Sequence, residues 1–480
     1  MKPRGGYNVN LMGGPSRSVE TAAPPDTLHI PLCSKHLGFS ELRVADGDSV
    51  PAGHMLAVAP DSFSVPLIAP CGGTVRLEQL EGHIVLENLN CPAEPTPDPE
   101  IPPHVSYDAG KAAENRQKLV DLGAWQFVSN ARTHRVADPD GTPSAVIVST
   151  VHLEPFIAIG SAICGDRIAE LVRGLEHLQL LLEYQPIHLV MPDVKVELAN
   201  EIQKIIRGHA WLKLAEVPLQ MRYPFDNPTL LARHMGLFND DNENVWFVPT
   251  EGIMAFDRAL TLGRPCTNRT ISFAGPVVKE PKHLKVQIGY PIDKLISGRL
   301  THDENVRVVN GGMLTGIEIT DTRTGIDAEC SGLTVLETPT VREILGWLRP
   351  GSDRRSFSKC FTSTLKGWFR ENLSTSLRGE GRPCVACGQC VSVCPAGIMP
   401  NLIHKYLFSD ELEQAQRLRT DLCVECGLCS YVCPSKIDLY DQMVRAKVQI
   451  AEELGEPEPE PELEPDTEPE TEETQGEDAA

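Results

Sequence analysis

Aromatic residues make up only 5% of this 480-residue sequence, against 41% hydrophobic residues overall, so its cores must be built mainly from aliphatic side chains. Long apolar runs are missing: no window approaches the ~18 residues that a membrane-crossing helix needs. The first twenty residues carry basic charge without an apolar stretch, so they do not read as a signal peptide. The chain is therefore expected to be soluble, or to reach a membrane only through a partner. Positive charge is also scarce. The net charge is −22; residues 452–480 hold fourteen acids and no base, so −8 belongs to the rest. A chain of that charge without a basic stripe is a poor candidate for binding nucleic acid. No nucleophile-base pair or acid-base pair stands out, so hydrolytic chemistry has no candidate residues.

What the sequence has is cysteine in a pattern. CVACGQCVSVCP begins at Cys384 and CVECGLCSYVCP at Cys423, the same C-x2-C-x2-C-x3-C-P run written twice. Three thiolates from one such loop can wrap three corners of an iron–sulfur cube. In two-cluster ferredoxins the fourth cysteine of each run serves the other cluster. Applied here, Cys384, Cys387, Cys390 and Cys433 hold one [4Fe–4S] cluster, and Cys423, Cys426, Cys429 and Cys394 hold the other. Pro395 and Pro434 lack an N–H and turn the backbone away from the cube. Gly388 and Gly427 let backbone amides come close to sulfide. Zinc also takes C-x2-C pairs, but has no use for a third cysteine at the same spacing plus a C-P. The other seven cysteines, Cys33, Cys71, Cys91, Cys164, Cys266, Cys330 and Cys360, are expected to be reduced, buried small hydrophobes. His404, lying between the runs, is expected on a surface or in packing, not as a ligand.

The length calls for two to four domains, and the texture changes along the chain. Residues 29–90 read as short strands between turn signals. VADGDSVPAGHMLAVAP, followed by IAPCGGTVRLE, resembles the barrel-sandwich domain of biotinyl and lipoyl carriers. The hairpin PDSFSVP has no lysine to carry such a cofactor. Residues 91–110 are a proline-rich linker. Residues 111–268 alternate buried strands (SAVIVST, IHLVMP, NVWFVP) with amphipathic helices (DRIAELVRGLEHLQLLLEY, VELANEIQKIIRGH), which predicts an α/β layer with a mostly parallel sheet. Residues 269–340 return to short strands as a small β-rich domain. A connecting helical segment, 341–375, leads to an all-α dicluster ferredoxin domain at 376–450, with a helix cap signal at Ser409-Asp410. The tail, 452–480, is expected to be disordered.

The stretches GAWQFVSNARTHRVADPDGTPSAVIVSTVHLEPF, NVWFVPTEGIMAFDRALTLGRPCTNRTISFAGPVVKEP and EILGWLRPGSDRRSF resemble the A subunit of the sodium-translocating NADH:quinone oxidoreductase. With the barrel sandwich, the resemblance runs from about residue 29 to 360. That family is similar to the C subunit of the Rnf complex, and both share their fold with the flavin subunit of complex I; the small β-rich domain is then SLBB-like. The Rnf subunit carries a helical dicluster module like this one, whereas familiar members of the A family lack it. Where complex I and the Rnf subunit have a G-x-G-G-A-G-F-P loop that cradles FMN, this sequence has LVDLGAWQFVSNARTH, with Gly123 its only glycine and Trp125 and Phe127 behind it. The acidic segment of nicotinamide-binding members is represented only by Glu154 in HLEPF. The resemblance thus implies a peripheral cytoplasmic subunit on the inner face of the cell membrane. It would relay electrons through two [4Fe–4S] clusters to quinone or neighbouring flavin subunits, with FMN and NAD absent from this chain. Such a chain is part of an enzyme complex but is not expected to oxidise NADH alone. Two alternatives stay open: an Rnf C-like subunit of a ferredoxin:NAD oxidoreductase, and a dicluster adaptor donating electrons to another enzyme.

Overall fold

The computed structural model describes residues 4–9, 11–91, 104–105, 111–182, 185–192, 213–238, 244–338 and 382–454. The expectations for the helix VELANEIQKIIRGH, the connecting segment 341–375, Cys360, most of the linker and the acidic tail beyond residue 454 lie outside the described residues, while Glu452 and Glu453, expected in the disordered tail, end the last helix.

Alternation of apolar and polar residues folds residues 28–90 into two antiparallel sheets. One pairs Leu28–Pro31, His83–Asn90, Gly72–Arg76 and Ser49–Val50, in that order; the other pairs Glu41–Leu42, Met55–Ala59 and Val65–Ile68. The register Leu28↔Leu86 and Ile30↔Ile84 points one row of aliphatics inward, where Leu56, Leu67 and Val75 meet it. The hairpin of the second sheet turns through Pro60–Ser62 and two left-handed residues, Phe63 and Ser64.

The same pairing corrects one expectation about the lone cysteines. Gly72 lies opposite Asn90, so Cys71 and Cys91 stand side by side at the sheet end, with Cα atoms 4.4 Å apart, and form a disulfide. Cys33 is exposed and Cys266 half-buried; among the described residues Cys164 and Cys330 are buried outside any disulfide, as expected.

The central layer is a five-stranded sheet in the order Leu214–Leu219, Ile187–Pro192, Ala145–Ser149, Val245–Pro249 and Ser129–Asn130. Its first four strands run parallel and the last antiparallel. All five residues of Ala145–Ser149 are buried, as expected of a parallel strand covered on both faces. One face carries the helices Ala112–Asp121, Ile168–Leu181 and Thr250–Leu262, and the other carries Pro228–His234. The helices Ile168–Leu181 and Thr250–Leu262 touch at Gly174, where any Cβ would overlap the Ile253 carbonyl. Beside that contact Arg173 donates two hydrogen bonds to Asp257, at 2.8 and 2.7 Å, in the buried interior.

A six-stranded sheet follows, ordered Val19–Thr21, Lys282–Gln287, Asn268–Ala274, Gly332–Glu337, Val306–Asn310 and Ile317–Ile319. Its edge strand, Val19–Thr21, comes from the N-terminal side of the sandwich and pairs parallel with Lys282–Gln287. The sandwich is tied to this sheet by Glu329. Its carboxylate accepts from the Ser34 hydroxyl, from the His36 backbone N–H at 2.7 Å, and from His36 Nδ1 at 2.9 Å. Burial alone would raise its pKa, but these donors outweigh burial and hold it down at about 2. A carboxylate depressed below its unfolded value of roughly 4.3 stabilises the fold above that value and loses the contribution as pH falls towards 2. Glu329→Gln is therefore expected to abolish, at neutral pH, the part of the stability that wild type loses between about pH 4 and 2. Matching thermal pH profiles for variant and wild type would contradict this.

The final module is helical: Gln389–Val393, Pro400–Phe408, Leu412–Arg417, Leu428–Tyr431 and Leu439–Glu453. The cap expected at Ser409-Asp410 falls one residue later. Ser409 closes one helix, Asp410 turns through positive φ, and Glu411 opens the next without a side-chain cap. The long last helix is capped by Asp438, which accepts from the Asp441 N–H. No helix among the described residues is long and apolar enough to cross a membrane.

Candidate iron-sulfur site

Each cysteine run curls into a loop that ends in a short helix. Gly388 and Gly427 open these helices at φ +70° and +72°, a conformation that costs glycine little. Each run sends its last cysteine across to the other. One cavity is lined by Cys384, Cys387 and Cys390 of the first run together with Cys433 of the second. The other is lined by Cys423, Cys426 and Cys429 together with Cys394 of the first. They enclose about 340 and 360 Å³ of atom-free space, part of it open to solvent.

The donor set suits a four-iron cube: four cysteines line each cavity. Among the described residues no group of three or more His, Cys, Asp or Glu side chains closes tightly enough to hold a single metal ion. Zinc would need its four sulfurs ~2.3 Å from one point. Four thiols lining each cavity instead match the ligand number of a four-iron cube. Backbone N–H groups are aimed at the sulfurs: Asn401 and Val391 at Cys390; Ala396, Ile398 and Gly397 at Cys394; Glu425 at Cys423; Leu428 at Cys426. Such donors stabilise thiolate and set cluster potential. Burial works the other way. It pushes the free thiols of Cys390 and Cys423 up to about 11 and Cys426 to about 12, and it raises Cys394 and Cys429 as well. Loading a thiolate-bound cofactor must therefore expel protons from these sites. His404 is packing: its Nδ1 lies 2.7 Å from Gln442 Oε1.

The two cavities differ in their surroundings. The first-run loop faces outward, with Cys387 exposed and Val385 64% exposed beside it. The second-run loop faces the body of the protein. Tyr223 donates its hydroxyl to the Cys426 carbonyl at 2.8 Å, and Gly427 sits against the Leu314 carbonyl. Sequence reasoning missed this joint, because no motif marks Tyr223 or Leu314. Glu154 turns out to brace it. Its carboxylate accepts from the N–H groups of Leu314 and Thr315, at 2.9 and 2.8 Å, and from the Thr315 hydroxyl at 2.8 Å.

Where a glycine-rich flavin loop would run, the chain packs core. After Gly123, a short 3-10 turn Ala124–Phe127 buries Trp125. Its indole stands edge-on to Trp246, centroids 5.4 Å apart, stacks on Phe256, and donates to the Ala137 carbonyl at 2.8 Å. Phe127 lies under the Arg269 guanidinium at 4.8 Å, and Arg269 pairs with Glu251 at 3.1 Å.

Comparison with known proteins agrees with this architecture. Residues 111–264 match the NqrA second alpha/beta domain, 270–321 the NQRA C-terminal domain, and 375–437 a 4Fe-4S dicluster domain. The A subunit of the Na(+)-translocating NADH-quinone reductase of Pseudomonas aeruginosa is 25% identical over 425 residues, covering 87% of this chain and 91% of that one. Its counterpart in Psychromonas ingrahamii is 26% identical over 419 residues, covering 86% and 90%. Among solved structures, a NAD+-reducing [NiFe]-hydrogenase in the H2-reduced state aligns over 71% of this chain and 63% of that one. It does so at 10% identity and a TM-score of 0.40, too low to argue from. The chain is thus NqrA-like, with a match to a 4Fe-4S dicluster domain after its matches to the NqrA domains.

Proposed function

We propose that the chain is the peripheral A-type subunit of a membrane-bound, sodium-translocating NADH:quinone oxidoreductase and relays electrons within it. The curated relatives carry that name. The observation that carries the relay is the crossed arrangement of eight cysteines into two four-thiol cavities. Cys384, Cys387, Cys390 and Cys433 would hold one [4Fe–4S] cluster, and Cys423, Cys426, Cys429 and Cys394 the other. Bound there, the clusters supply reversible one-electron chemistry.

The chain's own residues position and insulate these sites. Backbone amides favour thiolate, Tyr223 and Leu314 close the inner loop against the body, and the outer loop is left free to meet a redox partner. The other subunits and a quinone are the partners this reading requires, with attachment to the inner face of the membrane through those subunits. The filled space around Trp125 supports a chain without FMN or NAD, and that separates this reading from an Rnf C-like subunit.

The isolated chain is accordingly expected to purify without flavin and to leave NADH unoxidised while still containing iron. FMN recovered at about one per chain, with NADH oxidation, would overturn the A-type reading and restore the Rnf C-like one.

A further inference from the structure

Residues 4–9 and 11–14, in the segment before the sandwich, do not trail from the fold. Gly6 donates its N–H to the Val393 carbonyl at 2.8 Å, and Tyr7 donates to the Tyr223 carbonyl at 2.8 Å. Tyr7 and Val9 pack into the apolar joint formed by Tyr223, Val393, Leu428 and Val432, and the Tyr7 ring lies 6.2 Å from that of Tyr431. Gly5, at φ +74°, rests on the Cys394–Pro395 peptide, so closely that a Cβ would overlap the Cys394 carbonyl. At the other end Leu11 packs with Phe156 and Ala274, Gly13 accepts from the Gly275 N–H at 2.9 Å, and Val19–Thr21 is locked into the six-stranded sheet.

We propose that residues 4–9 and 11–14 are a latch that fastens the dicluster module to the body and presses the Cys394–Pro395 peptide into place, so that Cys394 is presented to the second-run cavity. This rests on the ligand assignment above. Cys394 and Cys433 both leave their own runs and cross, and Cys394 is the one that this segment touches. It has no helix holding it from behind: the helix Gln389–Val393 ends one residue before it. The latch supplies the missing backing from a part of the chain nearly four hundred residues away. Only glycine fits at position 5, for two independent reasons: left-handed backbone and absence of space.

The test uses the full-length chain, purified anaerobically, with Gly5→Val and a deletion of residues 2–9 compared with wild type. Gly5→Val is expected to keep the reduced EPR signal of the first-run cluster and lose that of the second, with iron falling from about eight to about four per chain. The deletion is expected to do the same, and to speed amide hydrogen exchange in the helix Leu428–Tyr431 about tenfold, equivalent to ~1.4 kcal/mol of docking. A synthetic peptide of residues 1–14 added to the deletion variant during cluster reconstitution should restore the second signal and the slow exchange. Unchanged signals and exchange in both variants would overturn the latch. So would loss of both signals together without rescue by the peptide, since the segment would then support the whole fold and not Cys394. Exchange can be followed on metal-free chain, so the latch and the ligand assignment fail separately: wild type without iron sinks the assignment alone.

Discussion

Cys394→Ala should destroy the cluster built on Cys423, Cys426 and Cys429 and leave the one built on Cys384, Cys387 and Cys390 intact. The reason is the crossing. Cys394 belongs by sequence to the first run, but it lines the second-run cavity, while the first-run cavity takes Cys433 instead. Removing Cys394 leaves the second site three thiols and the first site four. Cys433→Ala should do the reverse. Each variant is expected to lose about half of the iron and one of two EPR signals, and folding should be checked first by circular dichroism, because each cysteine joins both loops. In the assembled complex either variant should slow quinone reduction while the subunits still associate. If Cys394→Ala instead removes the first-run signal, each run keeps its own four ligands and the crossing is wrong. If both variants sustain wild-type turnover, the clusters stand outside the electron path.

Asp257→Ala should be the most damaging single change in the α/β layer. Asp257 accepts from Arg173 at 2.8 and 2.7 Å and from the Thr261 hydroxyl at 2.7 Å, and the Arg173 and Asp257 side chains are only 7% and 1% exposed. Truncating the acid strands a guanidinium between two helices that Gly174 already brings into contact, and a broken buried pair of this kind costs roughly 3–5 kcal/mol. The melting temperature of this layer should fall by about 10 °C. Replacing both partners, Arg173→Leu with Asp257→Leu, should recover most of that loss, because no unpaired charge remains. A loss of less than ~1 kcal/mol in the single variant would mean that water reaches the pair.

The parts legible in the sequence were those with a local physical signature. SAVIVST and NVWFVP read as strands because burial on both faces demands continuous apolar residues, and both lie in the parallel sheet. The cysteine runs were legible because cluster ligation imposes its own spacing. What was not legible depended on distant partners. Val19–Thr21 is three residues with no alternation to show, and becomes a strand only because Lys282–Gln287 offers an edge. Cys71 and Cys91 each read as a buried thiol until the register Gly72↔Asn90 sets them together. Residues 4–9 and 11–14 show no periodicity and no motif, although Gly5, Gly6 and Gly13 answer surfaces contributed by Cys394, Tyr223 and Gly275. Glu154 could be read only against a nucleotide-binding motif, whereas its partners, Leu314 and Thr315, lie about 160 residues away.

The most direct test of the central assignment is metal and sulfide analysis of the anaerobically purified chain, with EPR of the reduced sample. Two four-iron clusters require about eight iron and about eight acid-labile sulfide per chain, and two signals on reduction. Stoichiometric zinc, without acid-labile sulfide and without an EPR signal on reduction, would contradict the assignment and with it the electron relay.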